Sequence, residues 1–248
     1  MRVQPAAAYQ SLAPFYDRLM AHVDYPLWAD YVRALCDRHG RRPAACFDAA
    51  CGTGRLLAEL RTAGLRVAGA DGSAAMLAQA RRRLRGVPLT CQDLRLLEDG
   101  GRWPLVTCLY DSLNYLTEPA ELAAALGRLG RLLNEEGLLV FDICTERNSL
   151  EHFHDRSEQG RAGPWSWERH SWYERGARLH HNEFLVERRG GGRFVETHLQ
   201  RIYAVAETEE LTAAAGLELL GRYADFSLRP GGEEADRVHF VARRRRNA

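Results

Sequence analysis

Cys46-Phe47-Asp48-Ala49-Ala50-Cys51-Gly52-Thr53-Gly54-Arg55 (CFDAACGTGR) reads as a short apolar strand that runs into a glycine turn and opens a helix. In a doubly wound α/β fold such a turn offers backbone N–H groups and a helix N-terminus to a ligand. A dinucleotide site favours G-x-G-x-x-G, whose third glycine lets the helix pack tightly under a pyrophosphate. Here the order is Ala50-x-Gly52-x-Gly54, and the residue three after Gly52 is Arg55, which fits a pyrophosphate poorly. Asp48, two residues before the turn, opposes a phosphate and suits a cation or an ammonium group.

Outward from this stretch the pattern alternates. The first strand, about Ala45–Ala49, leads to a helix over Arg55–Ala63 that stops at Gly64. A second strand, Arg66–Ala70, ends at Asp71, and Ser73 can cap a helix through Arg83. A short third strand, Pro88–Cys91, ends at Asp93, and a fourth, Leu105–Tyr110, is a near-continuous apolar run of the kind covered on both faces. A helix over Pro119–Leu133, a turn at Asn134–Gly137 and a fifth strand at Leu138–Ile143 follow. Residues 145–164 are polar and irregular, after which 165–173, 178–188 and 193–203 alternate as antiparallel strands. A helix over Glu207–Ala215 precedes strands at Glu218–Tyr223 and Val238–Ala242. Upstream, helical spacing runs from Tyr9 to His39, with Pro26 in the first turn of a second helix.

The expected fold is therefore α/β: a Rossmann-like, doubly wound, mostly parallel seven-stranded sheet with an N-terminal helical lid and a small antiparallel β insertion. One domain over 1–248 divides into the lid (1–43), a first half with the glycine turn (44–144), a cap (145–205) and a C-terminal helix with the last strands (206–248). Carboxylates at three successive strand ends then face one ligand. Asp71 lies where ribose hydroxyls fall, Asp93 can accept from an adenine amine, and Asp48 meets positive charge. Together they describe a nucleoside whose charge is positive.

Composition narrows the chemistry further. All 34 basic residues are arginine and none is lysine, which excludes P-loop ATPases, protein kinases and pyridoxal-phosphate enzymes, each of which needs a lysine amine. Net charge is +1, so no global field draws the chain to nucleic acid or a membrane, and Arg243–Arg246 reads as a solvated tail. The 6 cysteines form no Cys-x-x-Cys pair and read as reduced core thiols. MRVQPAAAYQ has no apolar signal region, and a cytoplasmic protein, monomeric or homodimeric, is expected.

FDAACGTGR, VAGADGSAAMLAQA and CQDLRLL resemble the motifs of class I S-adenosylmethionine-dependent methyltransferases. LVTCLYDSLNYL, YDRLM and YPLWADYV look like the small-molecule members similar to sugar-amine N-methyltransferases. The resemblance covers nearly the whole chain, most weakly at 145–200. It implies S-adenosyl-L-methionine as cofactor, with Asp48, Gly52 and Gly54 around its methionine part and Ala50 in place of the usual first glycine. It further implies Asp71 and the adjoining Gly72 at the ribose, Met76 beside the adenine, Asp93 and Leu94 at the adenine edge, Tyr110 beside the sulfonium and Tyr16 over the cofactor from the lid.

Methyl transfer from a sulfonium is an in-line displacement, so alignment and water exclusion dominate, and a general base is needed only where the acceptor must lose a proton. The expected acceptor side is Tyr16, Tyr110, Asp111, Asn114 and Tyr115, with Trp165, Trp167, His170, Trp172 and Tyr173 from the cap, and His170 is the candidate base. His152 with His154, and His180 with His181, read as surface or packing histidines, and no metal is expected. A small-molecule acceptor, at an amine nitrogen, is the leading reading. An RNA or protein substrate, a nicotinamide-dependent oxidoreductase and a non-catalytic cofactor-binding protein are the competing ones.

Overall fold

The computed structural model describes residues 3–245. In chain order these form β1 (Val3–Ala6), α1 (Tyr16–Leu19), α2 (Tyr25–Arg38), β2 (Ala45–Asp48), α3 (Arg55–Thr62), β3 (Arg66–Asp71), α4 (Ala74–Arg83), β4 (Leu89–Cys91), β5 (Trp103–Cys108), α5 (Pro119–Leu132) and β6 (Leu133–Cys144). They continue with α6 (Glu146–His152), β7 (Arg156–Ala162), β8 (Trp165–Glu174), β9 (Leu179–Arg188), β10 (Arg193–Arg201), α7 (Val205–Ala214), β11 (Leu217–Ala224) and β12 (Arg237–Arg244). Short 3₁₀ turns lie at Leu94–Leu96 and Ser112–Tyr115.

The main sheet has seven strands in the order β11-β12-β6-β5-β2-β3-β4. Strands β2 to β6 are mutually parallel, β12 runs antiparallel to them, and β11, antiparallel to β12, returns to their direction. The order reverses at β2, which has β3 on one side and β5 on the other. Ligands of open α/β sheets bind at the carboxyl ends of strands at such a switch point, and the glycine turn leaves β2 there. One face carries Phe47, Phe141 and Phe240 against Leu122, Leu126 and Leu129 of α5. The other buries Leu105 and Val140 against Leu35 of α2, Leu57 and Leu60 of α3 and Leu77 of α4.

The local signals act as physical chemistry requires. Asp24 caps α2 by accepting from Leu27 N–H, with Pro26 in the first turn, and Ser73 caps α4 by accepting from Met76 N–H. Gly64, at φ +93°, ends α3.

Two expectations need correction. The N-terminal run is not one helical section: helix occupies only Tyr16–Leu19 before α2, and Val3–Ala6 is a strand paired in parallel with β10. Residues 145–164 are not irregular, because α6 and β7 lie there, and β7 pairs with β8 from Arg156↔Ser171 to Ala162↔Trp165. The cap is thus a five-stranded sheet, β1-β10-β9-β8-β7, and the N-terminus is built into it. Strand β7, with the sequence RSEQGRA, is mostly exposed, so hydrophobic alternation could not reveal it. The arginine run reads differently too: Arg243 and Arg244 belong to β12, with Arg243 paired to Glu218 at 2.9 Å, while Arg246 lies outside the described residues.

Candidate active site

A cavity of about 430 Å³ opens at the carboxyl ends of β2, β3 and β5. Asp48, Ala50, Gly52, Asp71, Gly72 and Met76 line it, as do Asp93, Leu94, Tyr110 and Tyr16. Asp71 accepts from Gly52 N–H at 2.7 Å through Oδ2 and from Ser73 N–H at 2.8 Å through Oδ1. One carboxylate therefore ties the glycine turn to the next helix start while its free lone pairs face the cavity. Burial raises its pKa against those two N–H groups. Asp48 is 3% exposed, and its Oδ1 is buried with no hydrogen-bond partner. Burial pushes this carboxyl up to about 7 against the pull of the Thr107 hydroxyl and the Ala50 N–H. A buried, half-satisfied carboxylate on a cavity wall is suited to a cation. Asp93 is more exposed; it accepts from Arg95 N–H at 2.8 Å and pairs with the Arg95 guanidinium at 2.9 Å.

Tyr110 is aimed by a device that the sequence does not advertise. Tyr110 and Asp111 both sit at positive φ, +63° and +52°, a conformation that costs about 1–3 kcal/mol per residue and must be held from outside. Asp142 of β6, fully buried, holds it by accepting from Tyr110 N–H at 3.0 Å and Asp111 N–H at 2.6 Å. Arg237 of β12 completes the cluster, 2.7 Å from Asp111 and 3.0 Å from Asp142, with its guanidinium 5.0 Å from the Tyr110 ring centroid. The result turns the Tyr110 ring into the cavity, next to Trp28 at 5.5 Å.

The front wall comes from the N-terminal segment. Tyr9, Tyr16, Tyr25, Trp28, Tyr110 and Tyr115 all line the cavity. Helix α1 is latched over the glycine turn, since Asp17 accepts from the Thr53 hydroxyl at 2.6 Å and pairs with Arg83. Tyr9, Tyr25 and Trp28 escaped the sequence reading as cavity residues. So did Glu196 and His198, which stand behind Tyr9 and Tyr115 on the inner face of β10. Their signal was present: within an alternating strand, Phe194, Glu196, His198 and Gln200 share one face, and acidic and imidazole groups on a buried face are seldom idle.

Several expected residues are not brought to the cavity. Gly54 does not line it; at φ +76° it starts α3, and a Cβ there would lie 2.7 Å from Leu84 Cδ1 and 3.2 Å from Ala80 Cβ. Its glycine serves helix packing. Gly54→Ala should cost about 3 kcal/mol through left-handed strain and overpacking, measured as a lower urea midpoint; an unchanged midpoint would refute this role. Asn114 is buried elsewhere, donating to Arg201 C=O at 2.7 Å and accepting from Cys144 N–H at 3.2 Å, so it fastens the cap to the main sheet. His170 faces out from the cap, exposed, 3.0 Å from Asp155 and stacked near Trp172. It cannot serve as a base for a ligand on the opposite face. Trp165 packs on Phe15, Trp167 near Phe184 and Trp172 on His181, while the Tyr173 hydroxyl donates to Glu146; none of the four lines the cavity. His152 meets Asp236 at 3.1 Å and His180 meets Ser149 at 3.2 Å.

Comparison with known proteins agrees with this geometry. Residues 47–137 match the family described as a methyltransferase domain. A provisionally named methyltransferase of Geobacillus sp. (strain WCH70) is 31% identical over 245 residues, covering 95% of this chain and 99% of its own. The dTDP-3-amino-3,6-dideoxy-alpha-D-glucopyranose N,N-dimethyltransferase of Streptomyces fradiae is 37% identical over 143 residues, 56% of this chain and 55% of its own. Among solved structures, CalS10 of Micromonospora echinaspora, an amino pentose methyltransferase with bound S-adenosylmethionine, superposes with a TM-score of 0.69 at 27% identity, covering 90% of this chain and 92% of its own. No described helix is long and apolar enough to cross a membrane.

Proposed function

Because this chain belongs to the class I S-adenosylmethionine-dependent methyltransferases, we propose that its methyl group goes to the amine nitrogen of a small molecule. S-adenosylmethionine supplies an electrophilic methyl on a sulfonium. The glycine turn, Asp48 and Asp71 are suited to hold its methionine part and ribose, with Met76, Asp93 and Leu94 toward the adenine. Tyr16 and Tyr110 close over the sulfonium and exclude water, and an aromatic surround suits both that cation and an incoming amine.

The observation that carries the amine reading is the lining of the acceptor end. Tyrosines and Trp28 dominate it, beside Leu109, Ser112 and Leu116; among the described residues the cavity wall holds no histidine or glutamate, and its aspartates Asp48, Asp71 and Asp93 are those assigned above to the cofactor. Burial raises the pKa of Tyr9, Tyr16, Tyr110 and Tyr115, so none is a ready phenolate to ionise a hydroxyl acceptor. An amine needs only to lose an ammonium proton to become nucleophilic. The names of the amino-sugar N-methyltransferases among its relatives support the same class.

The test is a transfer assay with radiolabelled S-adenosylmethionine against paired acceptors, dTDP-3-amino-3,6-dideoxy-α-D-glucopyranose and simpler amino sugars on one side and their hydroxyl counterparts on the other. Label should enter amines at least 100-fold faster than hydroxyls. Label entering the hydroxyl compounds preferentially, or entering protein or RNA instead, would overturn the reading.

A further inference from the structure

Behind the cavity's aromatic wall lies a continuous chain of polar groups. The Tyr9 and Tyr115 hydroxyls are 2.6 Å apart, the Tyr115 hydroxyl is 2.8 Å from His198 Nδ1, and His198 Nε2 is 3.0 Å from Glu196 Oε1. Glu196 is fully buried and His198 is 3% exposed. Glu196 also accepts from the N–H groups of Tyr9 at 2.5 Å and Ser11 at 2.8 Å and from the Ser11 hydroxyl at 2.6 Å. Burial alone would raise its pKa, but His198 and Ser11 outweigh burial and leave it below the ordinary carboxylate range. An ionised carboxylate only accepts, so His198 Nε2 carries a hydrogen. Whenever the ring carries that single hydrogen, Nδ1 is an acceptor. Tyr115 must therefore donate to His198, and Tyr9 must donate to Tyr115. The one group left with an open acceptor position is the Tyr9 oxygen, on the cavity wall.

The structure assigns to Tyr9, Tyr115 and His198, braced by Glu196, the role of a proton relay that takes the proton of the acceptor's ammonium group. This rests on the amine reading above. An N–H bond of the ammonium breaks as a new O–H bond forms at Tyr9. The original Tyr9 proton passes to Tyr115, and the Tyr115 proton forms an N–H bond at His198 Nδ1. No phenolate arises, which agrees with the raised tyrosine pKa values, and the imidazolium sits against the Glu196 carboxylate. The freed nitrogen lone pair forms the new C–N bond as the methyl's bond to sulfur breaks, and when product leaves the relay runs back, His198 Nδ1 returning its proton to Tyr115, Tyr115 to Tyr9, and Tyr9 giving one to water in the cavity. Tyr9 touches the acceptor; Tyr115, His198 and Glu196 act through it. The groups facing the relay are Tyr9 and Ser11 from the N-terminal segment, Tyr16 from α1, Tyr115 from its 3₁₀ turn, Phe184 from β9, and the charges of Asp71 at the end of β3, Asp111 and Arg169.

Two measurements test this. With an amine acceptor, Tyr9→Phe and Tyr115→Phe should each lower kcat/KM about 100-fold at pH 7, and the deficit should shrink to about threefold by pH 9.5, where solvent supplies free amine. A loss of equal size at every pH, or no loss, would overturn the relay. Independently of any acceptor, long-range 1H–15N spectra of the full chain with S-adenosylhomocysteine, with His198 assigned by His198→Gln, should show its hydrogen on Nε2. A hydrogen on Nδ1 alone would reverse the chain's polarity and overturn the relay. If the wild type methylates only hydroxyl compounds, the amine reading fails, and the ammonium donor assigned to the relay fails with it.

Discussion

Asp71→Ala should abolish the rise in melting temperature expected when S-adenosylmethionine is added to the wild-type chain. At about 100 times its dissociation constant a ligand adds about 2.7 kcal/mol, or about 5–10 °C for a chain of this size. The side chain holds Gly52 N–H and Ser73 N–H, and in the proposed assignment its remaining lone pairs take the ribose hydroxyls. Alanine removes the ribose acceptor and leaves both N–H groups without their partner, so the free variant should itself melt a few degrees lower. Scanning fluorimetry with and without cofactor decides the matter. A variant that shifts by as much as the wild type would show that the ribose is held elsewhere, and a shift with NAD alone would undo the cofactor assignment.

The second large effect belongs to Asp48 and depends on pH. Burial holds its carboxyl at about 7 in the folded state, above the 3.8 of a free aspartate, so between these the native state binds more protons than the unfolded one. The free protein therefore loses stability as pH rises from about 4, and the whole cost, up to about 4 kcal/mol, is present above pH 7. Asp48→Asn escapes this cost. Without cofactor it should be the more stable protein at pH 8 by a few kcal/mol, the difference fading toward pH 4. Saturating S-adenosylmethionine should reverse the order at pH 8, because the ammonium gives the carboxylate its missing partner and the variant binds about 100-fold more weakly. Denaturant curves at the two pH values, with and without cofactor, check both halves; an Asp48→Asn chain no more stable than wild type at pH 8 would contradict the first.

Much of this was legible because it is local. The sequence from Cys46 to Arg55 sets strand, turn and helix within ten residues, and Asp48, Asp71 and Asp93 each end a strand or the turn after it, so fold class alone carries them to one edge. What could not be read depends on partners distant in the chain. Tyr110 faces the cavity because Asp142, itself paired with Arg237, holds its backbone, and nothing near residue 110 says so. Asn114 looks like a catalytic amide beside Tyr115, yet its two bonds go to residues 144 and 201. His170 lies in the right sheet and on the wrong face, a difference of one step in a two-residue period. Gly54 was read as a ligand contact when the atoms pressing on it are those of α4.

The pairing of β1 with β10 joins Val3 to Arg193 and Ala6 to Glu196, so the first of the described strands is placed by the last strand of the cap. During synthesis the segments that build the glycine turn and its neighbours can find one another early, since β2 to β6 pair among themselves. Tyr9 must wait for Glu196, whose carboxylate fixes its backbone. Such long-range closure is slow to form. A nascent chain can thus shape the floor of its pocket long before it owns a front wall, and that wall closes only after β10 has been made.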